Sequence, residues 1–236
     1  MTQNLIARLA KNIIVSCQAL EDEPLYGPEH MAAMAVAAEE GGAVAIRANT
    51  PQDVRAIKRS CGLPVIGLYK KEYPDSAVYI TPTIREVREI AEAGAEFVAI
   101  DATSLARPGG EELGAFVRAI REQCPEVMIV ADVSTFEEGV TAMKLGVELV
   151  STTMSGYTPH SAVNDGPDVE LVRRLSALGD VPVLAEGRIW TPDEAAECLR
   201  AGAHAVVVGT AITRPQEITR RFAKAVLEAA RQKQTS

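Results

Sequence analysis

The chain has 236 residues, with 24 Lys and Arg against 32 Asp and Glu, a formal net charge of −8 and a pI of about 5.1. Its basic residues are scattered, so it lacks the positive footprint that a phosphate backbone or an anionic membrane would require. A hydrophobic content of 47% carried by Ala, Val, Ile and Leu, with 4% aromatics, excludes extended disorder and describes a folded chain with a large core.

No apolar run approaches the roughly 18–20 residues of a membrane span; the longest, near Ala205 to Gly209, is strand-sized. The segment from Asn4 to Lys11 is too short and too interrupted by charge to be the core of a secretory signal. Cys17, Cys61, Cys124 and Cys198 lie far apart, with no CxxC pair and no histidine at zinc-finger spacing. They read as free thiols in a reducing cytoplasm, which is the expected location.

Runs of β-branched residues bounded by polar, Gly or Pro punctuation predict strands over 12–17, 43–47, 64–69, 97–101, 126–132, 148–152, 182–186 and 204–209. Amphipathic stretches between them predict helices over about 28–40, 51–60, 84–93, 110–122, 136–145, 168–178, 192–201 and 215–232. Thr50-Pro51, Thr135-Phe136-Glu137 and Thr191-Pro192-Asp193 supply helix start signals. Successive strands begin about 21 or about 30–34 residues apart, the length of a βα unit, and their near-continuous apolar character suits parallel strands buried on both faces. An open doubly wound sheet accepts the same string, but the count of eight and the total length favour a (β/α)8 barrel spanning 1–236 as one catalytic domain. No linker or charge block divides the chain, and only 232–236 reads as a frayed tail.

In such a barrel the active site lies at the carboxyl ends of the strands. Those ends are Ser16-Cys17-Gln18, Arg47, Lys70, Asp101, Asp132, Thr152-Thr153, Glu186 and Gly209-Thr210, and they are unusually polar. Glu186-Gly187-Arg188 and the run from Gly209 through Thr210 to Arg214 have the make-up of a phosphate cradle. Their glycines let backbone N–H groups approach an anion, and Arg188 or Arg214 adds charge. The same glycines equally serve as plain turns.

The same residues admit other chemistries. Asp101, Asp132 and Glu186 offer oxygens for Mg²⁺. His30, His160 and His204 are widely separated, and His204 falls at the wrong end of the barrel for ligation. Cys17 has no partner histidine nearby and reads as a core thiol. What remains is a lysine among carboxylates above a phosphate site, suited either to Schiff-base chemistry or to proton transfer beside a carbonyl.

The segments IVSCQAL (14–20), AIRA (45–48), IGLYK (66–70), YITPT (79–83), ADVST (131–135), STTMSGYTP (151–159), AEGRI (185–189) and GTAITRP (209–215) closely resemble the N-acetylmannosamine-6-phosphate 2-epimerase family, essentially end to end. The resemblance implies conversion of N-acetylmannosamine 6-phosphate to N-acetylglucosamine 6-phosphate in sialic acid and amino-sugar catabolism, with no metal or organic cofactor, in a homodimer. It implies Lys70 as the proton-transfer residue and Glu186 as its acidic partner. Gln18, Arg47, Asp132 and Thr153 are implied as substrate-binding residues, with Gly187, Arg188, Gly209, Thr210 and Arg214 as the phosphate site. Thr210 stands where a second glycine is common in the family, and His160 where Tyr is common after Thr-Pro. Burial would lower the pKa of Lys70 and its carboxylate neighbours would raise it, so the base is either Lys70 itself or Glu186 with Lys70 as the acid. Two alternatives stay open: a phosphosugar aldolase or isomerase with Lys70 as Schiff base, and a non-catalytic phosphosugar sensor, which would be expected to have lost Lys70 or Glu186.

Overall fold

A computed structural model describes residues 2–232. The chain begins with α1 (Thr2–Leu9) and runs through β1 (Ile13–Cys17), α2 (Pro28–Glu40), β2 (Ala45–Asn49), α3 (Pro51–Ser60), β3 (Val65–Leu68), α4 (Ile84–Glu92) and β4 (Phe97–Asp101). It continues through α5 (Leu113–Gln123), β5 (Met128–Asp132), α6 (Phe136–Lys144), β6 (Leu149–Ser151), α7 (Val169–Ser176), β7 (Val183–Glu186), α8 (Pro192–Arg200), β8 (Ala205–Val208), α9 (Thr210–Thr213) and α10 (Pro215–Gln232). The eight strands are parallel and close in sequence order, β8 pairing with β1. The expected (β/α)8 barrel is the observed architecture. Of the expected frayed tail, Gln232 closes α10 and 233–236 lie outside the described residues.

The three threonine start signals act as anticipated. Thr50 Oγ1 accepts from Asp53 N at 3.2 Å, and Thr135 and Thr191 each form a reciprocal capping box with Glu138 and Glu194. Each cap satisfies otherwise orphaned amides and contributes about 1 kcal/mol to helix stability.

Strand parity divides the barrel wall in two. Outward residues such as Val15, Ile46, Val98, Ile129 and Val150 pack against the helices in one cluster, while Ile14, Ala45, Ile66, Phe97, Met128, Leu149, Leu184 and Ala205 fill the interior in another. The interior is closed at its amino-terminal end by α1, whose fully buried Leu9 joins that cluster. Segment 4–11, tested in the sequence only as an export signal, thus lies largely within α1, a plug for the barrel. His204 fastens it, its Nε2 lying 2.8 Å from the carbonyl oxygen of Ile6, so this histidine is structural. β2 also differs from expectation: it starts and ends two residues later than the predicted 43–47, because Ala43 and Val44 complete the approach from α2 before pairing with β3 begins.

Candidate active site

Following the inward parity upward, apolar side chains give way to polar ones in the top layer: Ser16, Arg47, Asp101, Asp132, Ser151 and Glu186. Lys70 continues the inward register of Ile66 and Leu68 two residues past Leu68, and its amide donates to Asn49 Oδ1 at 2.9 Å. Above this layer opens a cavity of about 420 Å³ lined by Gln18, Arg47, Lys70, Thr153, Glu186, Gly187, Arg188, Gly209, Thr210 and Arg214. Ten of the eleven residues singled out in the sequence therefore face one cavity.

The eleventh, Asp132, does not. It is fully buried beneath the cavity floor, where Arg47 Nη1 and Nη2 donate to its Oδ1 and Oδ2 at 3.0 and 2.5 Å and Thr153 Oγ1 lies 2.8 Å from Oδ1. Its oxygens are occupied by protein. Arg47 is likewise not at a strand end but two residues inside β2, with only 1% of its side chain exposed. Its Nη1 also pairs with Glu186 Oε2 at 3.0 Å, and both carboxylates hold its pKa above the ordinary value against the cost of burial.

Glu186 is fixed at both ends. Thr152 Oγ1 donates to its carbonyl at 3.0 Å and accepts from its amide at 3.1 Å, and its carboxylate meets Arg47, Thr153 Oγ1 at 3.1 Å and Ser151 Oγ at 3.4 Å. Burial pushes its pKa above 4.5, Arg47 opposing and Asp132 assisting. Lys70 moves the other way: burial, with Arg47 and Arg214, draws it below 10.5 despite Glu186 and Asp132. Burial and the two arginines thus outweigh the carboxylates at this lysine, and its pKa is lowered.

At the far side of the cavity the backbone turns sharply. Gly187 has φ +110, and Arg188 follows with φ +54, a left-handed conformation unusual for a non-glycine residue. A Cβ at Gly209 would meet Ser16 Cβ at 3.2 Å, so the β8 loop passes closer to β1 than a side chain comfortably allows. Arg188 spends part of its guanidinium on the preceding loop, donating from Nη1 to Ser155 O at 2.7 Å and from Nε to Gly166 O at 3.0 Å. Arg214 is ion-paired to Glu23, whose Oε1 also accepts from Gln216 Nε2 at 2.7 Å. Both arginines are thus pre-positioned, and Glu23 is a member of the site that the sequence reading missed.

Tyr79, Tyr157 and Trp190 also line the cavity and were missed. They lie outside the strand ends; Tyr79 and Tyr157 fall within the family-like segments 79–83 and 151–159, the signal that could have found them, while Trp190 falls in none. Gln18, which donates from Nε2 to Ser16 Oγ at 2.8 Å, keeps its Oε1 buried without a partner. Among the described residues no group of three or more His, Cys, Asp and Glu side chains is arranged to hold a metal ion. Cys17 points outward into the helix layer, fully buried with its thiol pushed up to about 12, a core residue. His30 and His160 are exposed.

Comparison with known proteins matches this arrangement to one family. Residues 31–228 match the NanE family model, "Putative N-acetylmannosamine-6-phosphate epimerase". A protein of Caldanaerobacter subterraneus named "Putative N-acetylmannosamine-6-phosphate 2-epimerase" is 57% identical over 228 residues, covering 97% of this chain and 96% of that one. A protein of the same name from Clostridioides difficile is 47% identical over 222 residues, covering 94% and 99%. The solved structure of the N-acetylmannosamine-6-phosphate 2-epimerase from Clostridium perfringens superposes with a TM-score of 0.90 at 47% identity, covering 94% of this chain and 96% of that chain. A closed eight-stranded barrel, a polar layer on its carboxyl end and this end-to-end likeness make the chain a member of the N-acetylmannosamine-6-phosphate epimerase family.

Proposed function

We propose that this chain epimerises N-acetyl-D-mannosamine 6-phosphate to N-acetyl-D-glucosamine 6-phosphate by moving a proton at C2. In the open-chain aldehyde the C2–H bond is acidified by the neighbouring carbonyl. Its proton passes to the amine of Lys70, the electron pair delocalises onto the C1 oxygen to give a 2-acetamido enolate, and Glu186 returns a proton to the opposite face of C2. The observation that carries this reading is that Lys70 and Glu186 line one cavity; burial there lowers the pKa of the first and raises that of the second, drawing a base and an acid towards the same working pH.

Gln18 offers its unpartnered Oε1 to a sugar hydroxyl. Arg47, Asp132 and Thr153 serve the substrate by holding the catalytic carboxylate, Asp132 from below. Gly187, Arg188, Gly209, Thr210 and Arg214 receive the 6-phosphate, and the cavity mouth between the β7 and β8 loops is where barrels commonly hold phosphates. The chain acts as one catalytic domain in the cytoplasm, within sialic acid and amino-sugar catabolism. Its four free cysteines suit that compartment, and no described helix is long and apolar enough to cross a membrane. It works as a homodimer: no residue of α10 is buried, and Phe222, Val226 and Leu227 leave an apolar stripe that a second copy would cover.

Steady-state kinetics of Lys70→Met and Glu186→Gln test the assignment. Each is expected to retain less than about a tenth of wild-type kcat, and a variant above that counts against its residue. A lysine with a lowered pKa also suits Schiff-base formation. Borohydride with substrate present is expected to leave Lys70 unmodified; a trapped adduct would favour the aldolase reading.

A further inference from the structure

We propose that Tyr79 is a catalytic residue, its phenolic hydroxyl donating a hydrogen bond to the oxygen on C1 as negative charge develops there in the enolate. The inference rests on the C2 proton-transfer reading above and gives a role to a residue to which neither the strand-end pattern nor the family likeness assigned one.

Tyr79 lines the same cavity as Lys70, Glu186 and Arg47. Its hydroxyl is held only weakly: among the described residues the sole acceptor it meets is the sulfur of Met154, 3.6 Å away. The other strong donor at this depth, Arg47, has both terminal nitrogens committed to Asp132 and Glu186. An enolate formed beside Lys70 therefore shares its cavity with the neutral hydroxyl of Tyr79, a donor that no strong acceptor in the protein holds. Burial, with Asp132 and Asp101 nearby, pushes the phenol up to about 12, so it keeps its proton throughout the working range.

The segment carrying Tyr79 is held firmly. Tyr79 O accepts from Lys71 N at 2.9 Å, Ile80 bridges Lys70 in an antiparallel pair, and Ile80 O accepts from Asp101 N at 3.0 Å. Thr81 then adopts φ +46, with its hydroxyl donating to Ala99 O at 2.6 Å and accepting from Tyr69 N at 3.1 Å. A non-glycine left-handed residue costs free energy and persists where surrounding bonds over-determine it. Here those bonds set the tyrosine beside the lysine.

The test is the kinetics of Tyr79→Phe with N-acetylmannosamine 6-phosphate, alongside wild type and Met154→Leu. Because the bond strengthens only as charge develops, kcat is expected to fall on the order of 100-fold while KM stays within about twofold. Met154→Leu, which removes the sulfur but keeps the phenol, is expected to hold wild-type kcat. A Tyr79→Phe kcat within about threefold of wild type overturns the proposal, as does a change confined to KM or an equal loss in Met154→Leu. Wild-type protein that turns over no substrate would sink the epimerase reading itself, whereas active wild type with an unaffected Tyr79→Phe sinks this inference alone. Melting temperature and inhibition by inorganic phosphate, both expected unchanged in Tyr79→Phe, separate loss of the donor from loss of the fold.

Discussion

The guanidinium of Arg47 grips the carboxylate of Asp132 with two bonds, at 3.0 and 2.5 Å, below the floor of the cavity. That pair is close to neutral as a unit, and ionising Glu186, 3.0 Å from the same Arg47 Nη1, adds a further negative charge to a buried cluster. Desolvation therefore falls on Glu186 with only part of one arginine to offset it, which is why its pKa rises. The lysine above is itself buried and shares the cavity with this arginine and with Arg214, which is why its pKa falls.

Removing Arg47 should leave two buried carboxylates uncompensated. Arg47→Met is expected to cost about 3–5 kcal/mol of unfolding free energy, the usual penalty for orphaning a buried ion-pair partner. Urea denaturation at neutral pH measures it, and a loss below about 1 kcal/mol would show that the cluster relaxes or protonates without the arginine.

The pH dependence of turnover follows from the signs of the two shifts. Glu186 titrates above 4.5 and Lys70 below 10.5, so both limbs of the kcat/KM profile should move inward, giving a bell narrower than an ordinary carboxylate and amine would produce. The limbs belong to the interacting pair rather than to either residue alone. Glu186→Gln should erase one limb from its residual activity, and a profile flat from pH 5 to 10 in wild type would contradict the coupling.

Away from the site, Glu138 ties two loops together. It accepts from Ser104 N at 2.7 Å through Oε1 and from Ser134 N and Oγ at 2.8 and 2.7 Å through Oε2. These bonds hold its pKa below 4.5. A lowered carboxylate contributes stability above its unfolded pKa and loses it as pH falls through the folded value. Glu138→Gln should thus be destabilised by about 1–3 kcal/mol at pH 7, with the deficit closing on acidification. Thermal unfolding of both proteins at pH 7 and pH 4 reads this, and a deficit that grows in acid would reverse the sign.

Cys17 offers a control on the chemistry. Fully buried in the outer cluster, with its thiol at about 12, it should resist iodoacetamide in the folded protein, and Cys17→Ala should keep wild-type kcat. Rapid modification of Cys17 accompanied by inactivation would return it to the list of candidate nucleophiles.

The barrel was legible because eight β-branched runs and three threonine start signals each obey a local rule, and strand pairing only repeats it. Lys70 and Glu186 were legible because they stand at strand ends in the inward register. Arg47 and Asp132 show where that reading stops: both were placed by type and position, but how deep each lies depends on where its strand ends relative to its neighbours. Register supplies that depth, and it made Asp132 a support beneath the cavity. Counting parity back from Asn49 would have put Arg47 inside the barrel. Tyr79, Glu23 and Trp190 reach the cavity by long-range placement of irregular segments, for which the sequence carries no period. The plug α1 was passed over because a helix before the first strand belongs to no βα unit.

The most direct test of the central claim is a proton NMR time course of the purified protein with N-acetylmannosamine 6-phosphate in D2O, without added metal, following both epimers and the C2 proton. The account predicts formation of the gluco epimer with deuterium at C2. Binding without exchange or turnover, or a gluco product that keeps its original C2 proton undiluted by solvent, would contradict it.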